Sequence, residues 1–226
     1  MTGFVRAVWV ITRKDLLVEA RTREIFLTTV FFAVACVMVF AFSFVREGQA
    51  ISDAAAGILW IAIAFSGTLA LGRAFERERH GETLRALLIA PIDRPALYLG
   101  MLVGILILMA AVEVIVVPLV ALMFQAALFD HALLLLALLA AGTVGFAAVG
   151  TLFAAMLVRA RSRDVMLPVL LYPITVPVII AGVRGTAALL ETDGLPMARA
   201  WLAMLVFFDV VFVTVALWTF EPVMTE

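Results

Sequence analysis

Two acids, Glu113 and Asp209, stand inside apolar stretches long enough to cross a bilayer, and in this 226-residue chain they are the residues best placed to do chemistry. A carboxylate in lipid costs at least a few kcal/mol, so neither faces acyl chains and each is a candidate site by default. About 16 residues at 1.5 Å rise place Glu113 roughly 24 Å from the start of its run. Arg184, at the outer end of the fifth apolar run, lies at a comparable depth. Glu113 therefore reads either as half of a structural ion pair with Arg184 or as a substrate contact. Asp209, near the middle of the last run, has no basic residue at its depth and must hydrogen-bond or lose its charge.

Other chemistry is excluded by what the sequence lacks. No GxxxxGK[ST] occurs, and Lys14, the single lysine beside 15 arginines, follows no glycine-rich turn. The chain cannot cradle ATP phosphates itself, so any ATP and its Mg belong to a partner. There is no CxxCH, no HExxH and no serine–histidine elbow, and one cysteine, Cys36, excludes an intrachain disulfide and a multi-cysteine metal site. His80 and His131 fall on opposite faces of the membrane and cannot jointly ligate one iron. No catalytic residue and no metal site is expected: the chain reads as a membrane subunit and not as an enzyme. A net charge of −1 argues against nucleic acid as a partner.

Stepping out from these residues, composition supplies the membrane. The chain is 65% hydrophobic and 15% charged, with a mean hydropathy of +1.18, far more apolar than a soluble domain. Six runs reach the roughly 20 residues that a span needs, at 25–45, 54–72, 96–124, 131–158, 165–183 and 200–220. Unpaired backbone groups are not tolerated in lipid, so these are helices, and the fold class is an all-α polytopic membrane protein forming a single transmembrane domain over 1–226. No small-residue cleavage site follows the first run, so no removable signal peptide is expected.

Residues 1–24 read as an interfacial amphipathic helix. Phe4, Val5, Val8, Trp9, Ile11, Leu16 and Val18 gather on one side, and Arg6, Arg13, Lys14 and Arg21 opposite. Asp15 and Glu19 fall on the apolar side, so they either reach water or meet a basic group on a partner protein. Gly142, Gly145 and Gly150 give the fourth run a small-residue surface suited to intramolecular packing, and Pro168, Pro173 and Pro177 predict a fifth helix that is interrupted and kinked.

Between the second and third runs lies a charged stretch, 73–95. Five of its first eight residues are charged (Arg73, Glu76, Arg77, Glu78, Arg79); Gly81 then breaks the pattern before Leu84, Leu87 and Leu88 recur at helical spacing up to Pro91. That is a short amphipathic docking helix. Thirteen arginines and lysines sit in the first segment, this stretch and the 159–163 connection, against three (Arg46, Arg184, Arg199) on the alternate side. Both termini and the docking stretch are therefore expected in the cytoplasm.

The ERER followed by Gly81, Thr83-Leu84, Leu87-Leu88 and Pro91 resembles the cytoplasmic signature of ABC-2 type exporter permeases. KDLLVEARTRE (14–24), AAGILWIA (55–62), GRAFERERHGETLRALLIAPIDRPALYLG (72–100) and LPVLLYPITVPVIIAG (167–182) are similar to the haem exporter permease B family, CcmB, of cytochrome c maturation. The resemblance covers nearly the whole chain. It implies a multi-pass subunit of the bacterial cytoplasmic membrane that pairs as a homodimer with a cytoplasmic ABC ATPase. It also implies work beside a haem-handling membrane protein and a periplasmic haem chaperone. Haem would be a transported or partner-bound species. The resemblance places Glu76, Glu78, Gly81, Thr83, Leu84, Leu87, Leu88 and Pro91 in the element that meets the ATPase. Many relatives carry an acid after the Thr-Leu pair, where this chain has Arg85. The residues alone leave open an ABC-2 permease for a lipid, glycan or drug, and a membrane scaffold with no transport cycle.

Overall fold

The structure is a computed structural model and describes residues 2–46, 49–50, 54–80, 93–157 and 163–225. Among these it forms seven helices: α1 (Thr2–Thr22), α2 (Glu24–Ser43), α3 (Ala55–His80), α4 (Arg94–Phe124), α5 (Ala132–Met156), α6 (Arg163–Leu189) and α7 (Leu195–Thr225). A two-residue antiparallel ladder, β1 (Val45–Arg46) with β2 (Gln49–Ala50), joins α2 to α3 and is the one departure from an all-helical chain. The six helices from α2 to α7 are each long and apolar enough to cross a membrane, matching the six expected runs.

Both termini lie at one end of the bundle, called here the near end. There α1 docks on the first part of α4, the Thr12 hydroxyl donating 3.0 Å to the Gly100 carbonyl, and Tyr98 of α4 packs on Phe220 of α7. Helices α5, α6 and α7 form one packed trio, α2, α3 and α4 another, and α3 and α4 bridge them.

The seams are set by glycines. Trp60 of α3, 2% exposed, lies against Gly142 of α5 and Gly182 of α6: a Cβ at either glycine would collide with the indole ring. Its Nε1–H donates 2.9 Å to the Thr186 hydroxyl, so the one polar atom of a buried ring is satisfied. Gly150 of α5 receives Leu71 of α3, and Gly145 receives Asp209 of α7. The small-residue surface of α5 is thus used within the chain. Lipid gives no hydrophobic reward for helix association, so close approach at such seats carries the packing.

Three expectations are corrected. Helix α3 runs past 72 through Arg73–His80, so the charged stretch begins as a continuation of the span. Arginine and glutamate are good helix formers, and Arg73 pairs with Glu76 one turn on at 3.4 Å. The fifth span continues unbroken to Leu189 through Pro168, Pro173 and Pro177, because each proline deletes a single ladder bond and a membrane helix packed on both sides tolerates that loss. Pro118 in α4 is passed in the same way, and the sequence reading had not singled it out. On α1 the inward stripe is Ile11, Thr12, Asp15, Leu16 and Glu19, whereas Val5, Trp9 and Val18 face outward. Gly81, Thr83, Leu84, Leu87, Leu88 and Pro91 lie outside the described residues, as does the side chain of Glu78.

Replacing Gly142 or Gly182 by alanine should lower stability by about 1–3 kcal/mol through overpacking against Trp60. Gly57→Ala in α3, where an added Cβ meets nothing within 4 Å, should be neutral or stabilising. Thermal unfolding of the detergent-solubilised variants distinguishes the two; equal effects at Gly142 and Gly57 would show that Trp60 is not seated tightly.

Candidate functional site

The charged end of α3 is fixed by an acid from another helix. The turn from α1 to α2 passes through Arg23 in the left-handed region (φ 54°), an uncommon conformation for a residue with a Cβ. That turn places Glu19 beside the start of α2, where Arg23 offers no side-chain cap. The Glu19 carboxylate takes that role from the preceding helix, Oε1 accepting from the Phe26 amide at 2.8 Å while Oε2 accepts from the Arg77 guanidinium at 2.9 Å. A carboxylate at a helix N-terminus satisfies an orphan N–H and complements the helix dipole. One half-buried side chain therefore joins α1, α2 and α3. Asp15, one turn earlier, pairs with Lys14 at 2.9 Å and abuts Gly104 of α4. The expectation that Asp15 and Glu19 reach water or a partner protein is corrected: their cations come from their own chain.

Glu76 lies on the other side of α3, half-exposed, at the rim of a groove of about 510 Å³ between α2, α3 and α6. Phe32, Phe65 and Pro168 line it, and at its floor the Thr68 hydroxyl and Tyr172 phenol stand 3.2 Å apart. Thr68 donates to the Ala64 carbonyl at 2.8 Å, leaving its lone pair for the phenol's proton.

Of the two embedded acids, Glu113 of α4 accepts a hydrogen bond from the Thr143 hydroxyl of α5 and is 9% exposed. The alternative pairing with Arg184 is not formed: Arg184 is exposed on α6. Glu113 is eleven residues from the end of α4 and Arg184 five from the end of α6, a depth difference of roughly 9 Å at 1.5 Å per residue. Asp209 presents a buried Oδ1 without a hydrogen-bond partner against Gly145 of α5. Thr143 and Gly145 are two residues apart, about 200° around a helix, so the two acids grip opposite sides of α5 and do not meet. His80 ends α3 at the near end, and His131 precedes α5 at the other. Among the described residues no cluster of histidine, cysteine and acid side chains could hold a metal ion. Among the described residues the arrangement joins and positions helices.

Sequence reasoning missed Trp60, Thr143 and Thr186 as organising residues. A tryptophan in mid-span, away from the interfaces where indoles gather, was the available signal for Trp60.

A model of the CcmB protein family matches residues 6–224. No individual curated protein matches the chain. The match spans nearly the whole length, so the chain belongs to the CcmB family, ABC-type haem exporter permeases of cytochrome c maturation, and is a membrane subunit and not itself an ATPase.

Glu19→Ala should cost about 2 kcal/mol, because it removes a charged hydrogen bond and a helix cap together. Arg77→Ala should cost less, since the cap survives. Hydrogen exchange at the Phe26 amide should accelerate in the first variant and stay slow in the second; the same rate in both would mean that Glu19 does not cap α2. For the embedded site, Thr143→Val leaves the Glu113 carboxyl unsatisfied and should lower stability by about 1–3 kcal/mol. Glu113→Gln keeps an acceptor for Thr143 and should cost far less, a contrast that denaturant titration in detergent measures.

Proposed function

From this membership we propose that the chain is the membrane half of an ATP-driven machine whose cytoplasmic ATPase docks on the 73–95 stretch. The observation that carries the reading is the family match over residues 6–224. The geometry supplies a route. Closure of the ATPase dimer pushes on the segment around Leu84, Leu87 and Leu88, which follows the end of α3 at His80 in the chain. A helix transmits axial displacement, and the Glu19 link to Arg77 passes it to α1 and α2. The seats of Trp60 between α5 and α6 pass it to the remaining helices, biasing a bundle with two arrangements.

In this reading both termini are cytoplasmic, the chain works as a pair with two ATPase subunits, and ATP and Mg stay on the partner. Glu76 and Glu78 open the contact, with Gly81, Thr83 and Pro91 shaping its helix and Arg85 reversing the charge that many relatives present there. Haem is substrate or partner-bound cargo. The embedded side chains favour release of a haem-loaded periplasmic chaperone from its loading partner over passage of haem through this chain. Glu113 is taken up by Thr143, and the two histidines stand at opposite ends of the bundle.

Leu87→Asp or Leu88→Asp should abolish cytochrome c assembly while leaving the protein in the membrane at normal abundance; preserved assembly would count against docking. Affinity purification from the native host under mild detergent, followed by mass spectrometry, should recover an ABC ATPase together with cytochrome c maturation proteins. An ATPase accompanied by lipid-pathway enzymes would instead assign the chain to a general exporter, and absence of any ATPase would overturn the coupling role.

A further inference from the structure

The outward face of α1 carries a pattern that the packing of the bundle does not use. Trp9, Arg13, Leu17 and Arg21 follow one another at four-residue intervals, with Val10, Lys14 and Val18 beside them, and together they form one open face of α1. Trp9 is 62% exposed and Leu17 50%, and Arg13 and Arg21 are exposed as well. The acids of the helix are turned away from this face: Asp15 is held by Lys14 against α4, and Glu19 by Arg77. Among the described residues, no ion pair engages Arg13 or Arg21. Cationic and apolar side chains therefore alternate along this face, with the acids of the helix spent inward.

We propose that this face binds the headgroups of anionic phospholipids in the leaflet at the near end. The charge pattern selects the occupant. Each guanidinium can take a phosphate oxygen pair in bidentate fashion. Arg13 and Arg21 are eight residues apart, about 12 Å along the axis, too far to share one phosphate, so the face takes two headgroups in a row. Trp9 with Val10, and Leu17 with Val18, then lie level with the acyl-chain boundary, where an indole and branched aliphatic side chains are stable. A free phosphate would neutralise the arginines and leave these apolar rows in water. An acidic protein surface would have to bury them, whereas Trp9, Val10 and Leu17 are exposed.

The test is native mass spectrometry of the full-length protein released from mixed micelles containing equal amounts of phosphatidylglycerol and phosphatidylcholine. Two phosphatidylglycerol molecules should be retained in preference to phosphatidylcholine. A basic residue near an anionic surface contributes about 1 kcal/mol, so the double variant Arg13→Gln/Arg21→Gln should reduce that preference about 30-fold. Arg13→Lys/Arg21→Lys, which keeps both charges, should retain most of it. Equal retention of the two lipids by the native protein, or an unchanged preference in the glutamine variant, would overturn the proposal. Retained phosphatidylglycerol with loss of the co-purifying ATPase in the glutamine variant would also overturn it, assigning the face to the ATPase.

Discussion

A helix bundle in a bilayer gains nothing by hiding apolar side chains from one another, because acyl chains are as apolar as leucine; contact must come from close approach and from hydrogen bonds. In this protein that constraint is met where a large side chain enters the space left by a missing Cβ. Trp60 is the largest such case, held between Gly142 and Gly182 and tied to Thr186. Because the indole belongs to α3 and the two glycines to α5 and α6, a single residue fixes the spacing of three helices. Leu71 against Gly150 repeats the arrangement two to three turns along the same α3–α5 seam.

The second joint is polar and lies at the near end. Glu19 satisfies two donors, the Phe26 amide and the Arg77 guanidinium. The packing seats resist separation of helices, whereas the Glu19 node resists sliding of α3 past α1. Together they tie the charged end of α3 to the rest of the bundle.

Much of this was legible in the residues. Six apolar runs and the glycine-rich face of the fourth follow from composition and spacing, because each depends only on a helix's own sequence. The ends of the runs were less legible: hydropathy falls at Arg73, yet α3 continues, since arginine and glutamate interrupt apolarity without interrupting a helix. Pairings between helices were legible only as unsatisfied needs. Glu113 needed a partner, and Arg184 had the right charge but the wrong depth; Thr143 bears no charge to advertise it. Glu19 on an apolar stripe announced a need for water or for a partner's cation, and only the fold brings Arg77, 58 residues later, within 2.9 Å.

That separation in sequence bears on how the chain is made. Glu19 leaves the ribosome well before Arg77, so its cap partner Phe26 is made with it while the guanidinium partner does not yet exist. The ion pair can close only after α3 has come back through the bilayer, leaving Arg77 on the side where α1 waited. An α3 that failed to return would strand a lone carboxylate and a lone guanidinium on opposite faces. Closure of this one contact therefore registers that the second span has crossed back to the side on which α1 lies.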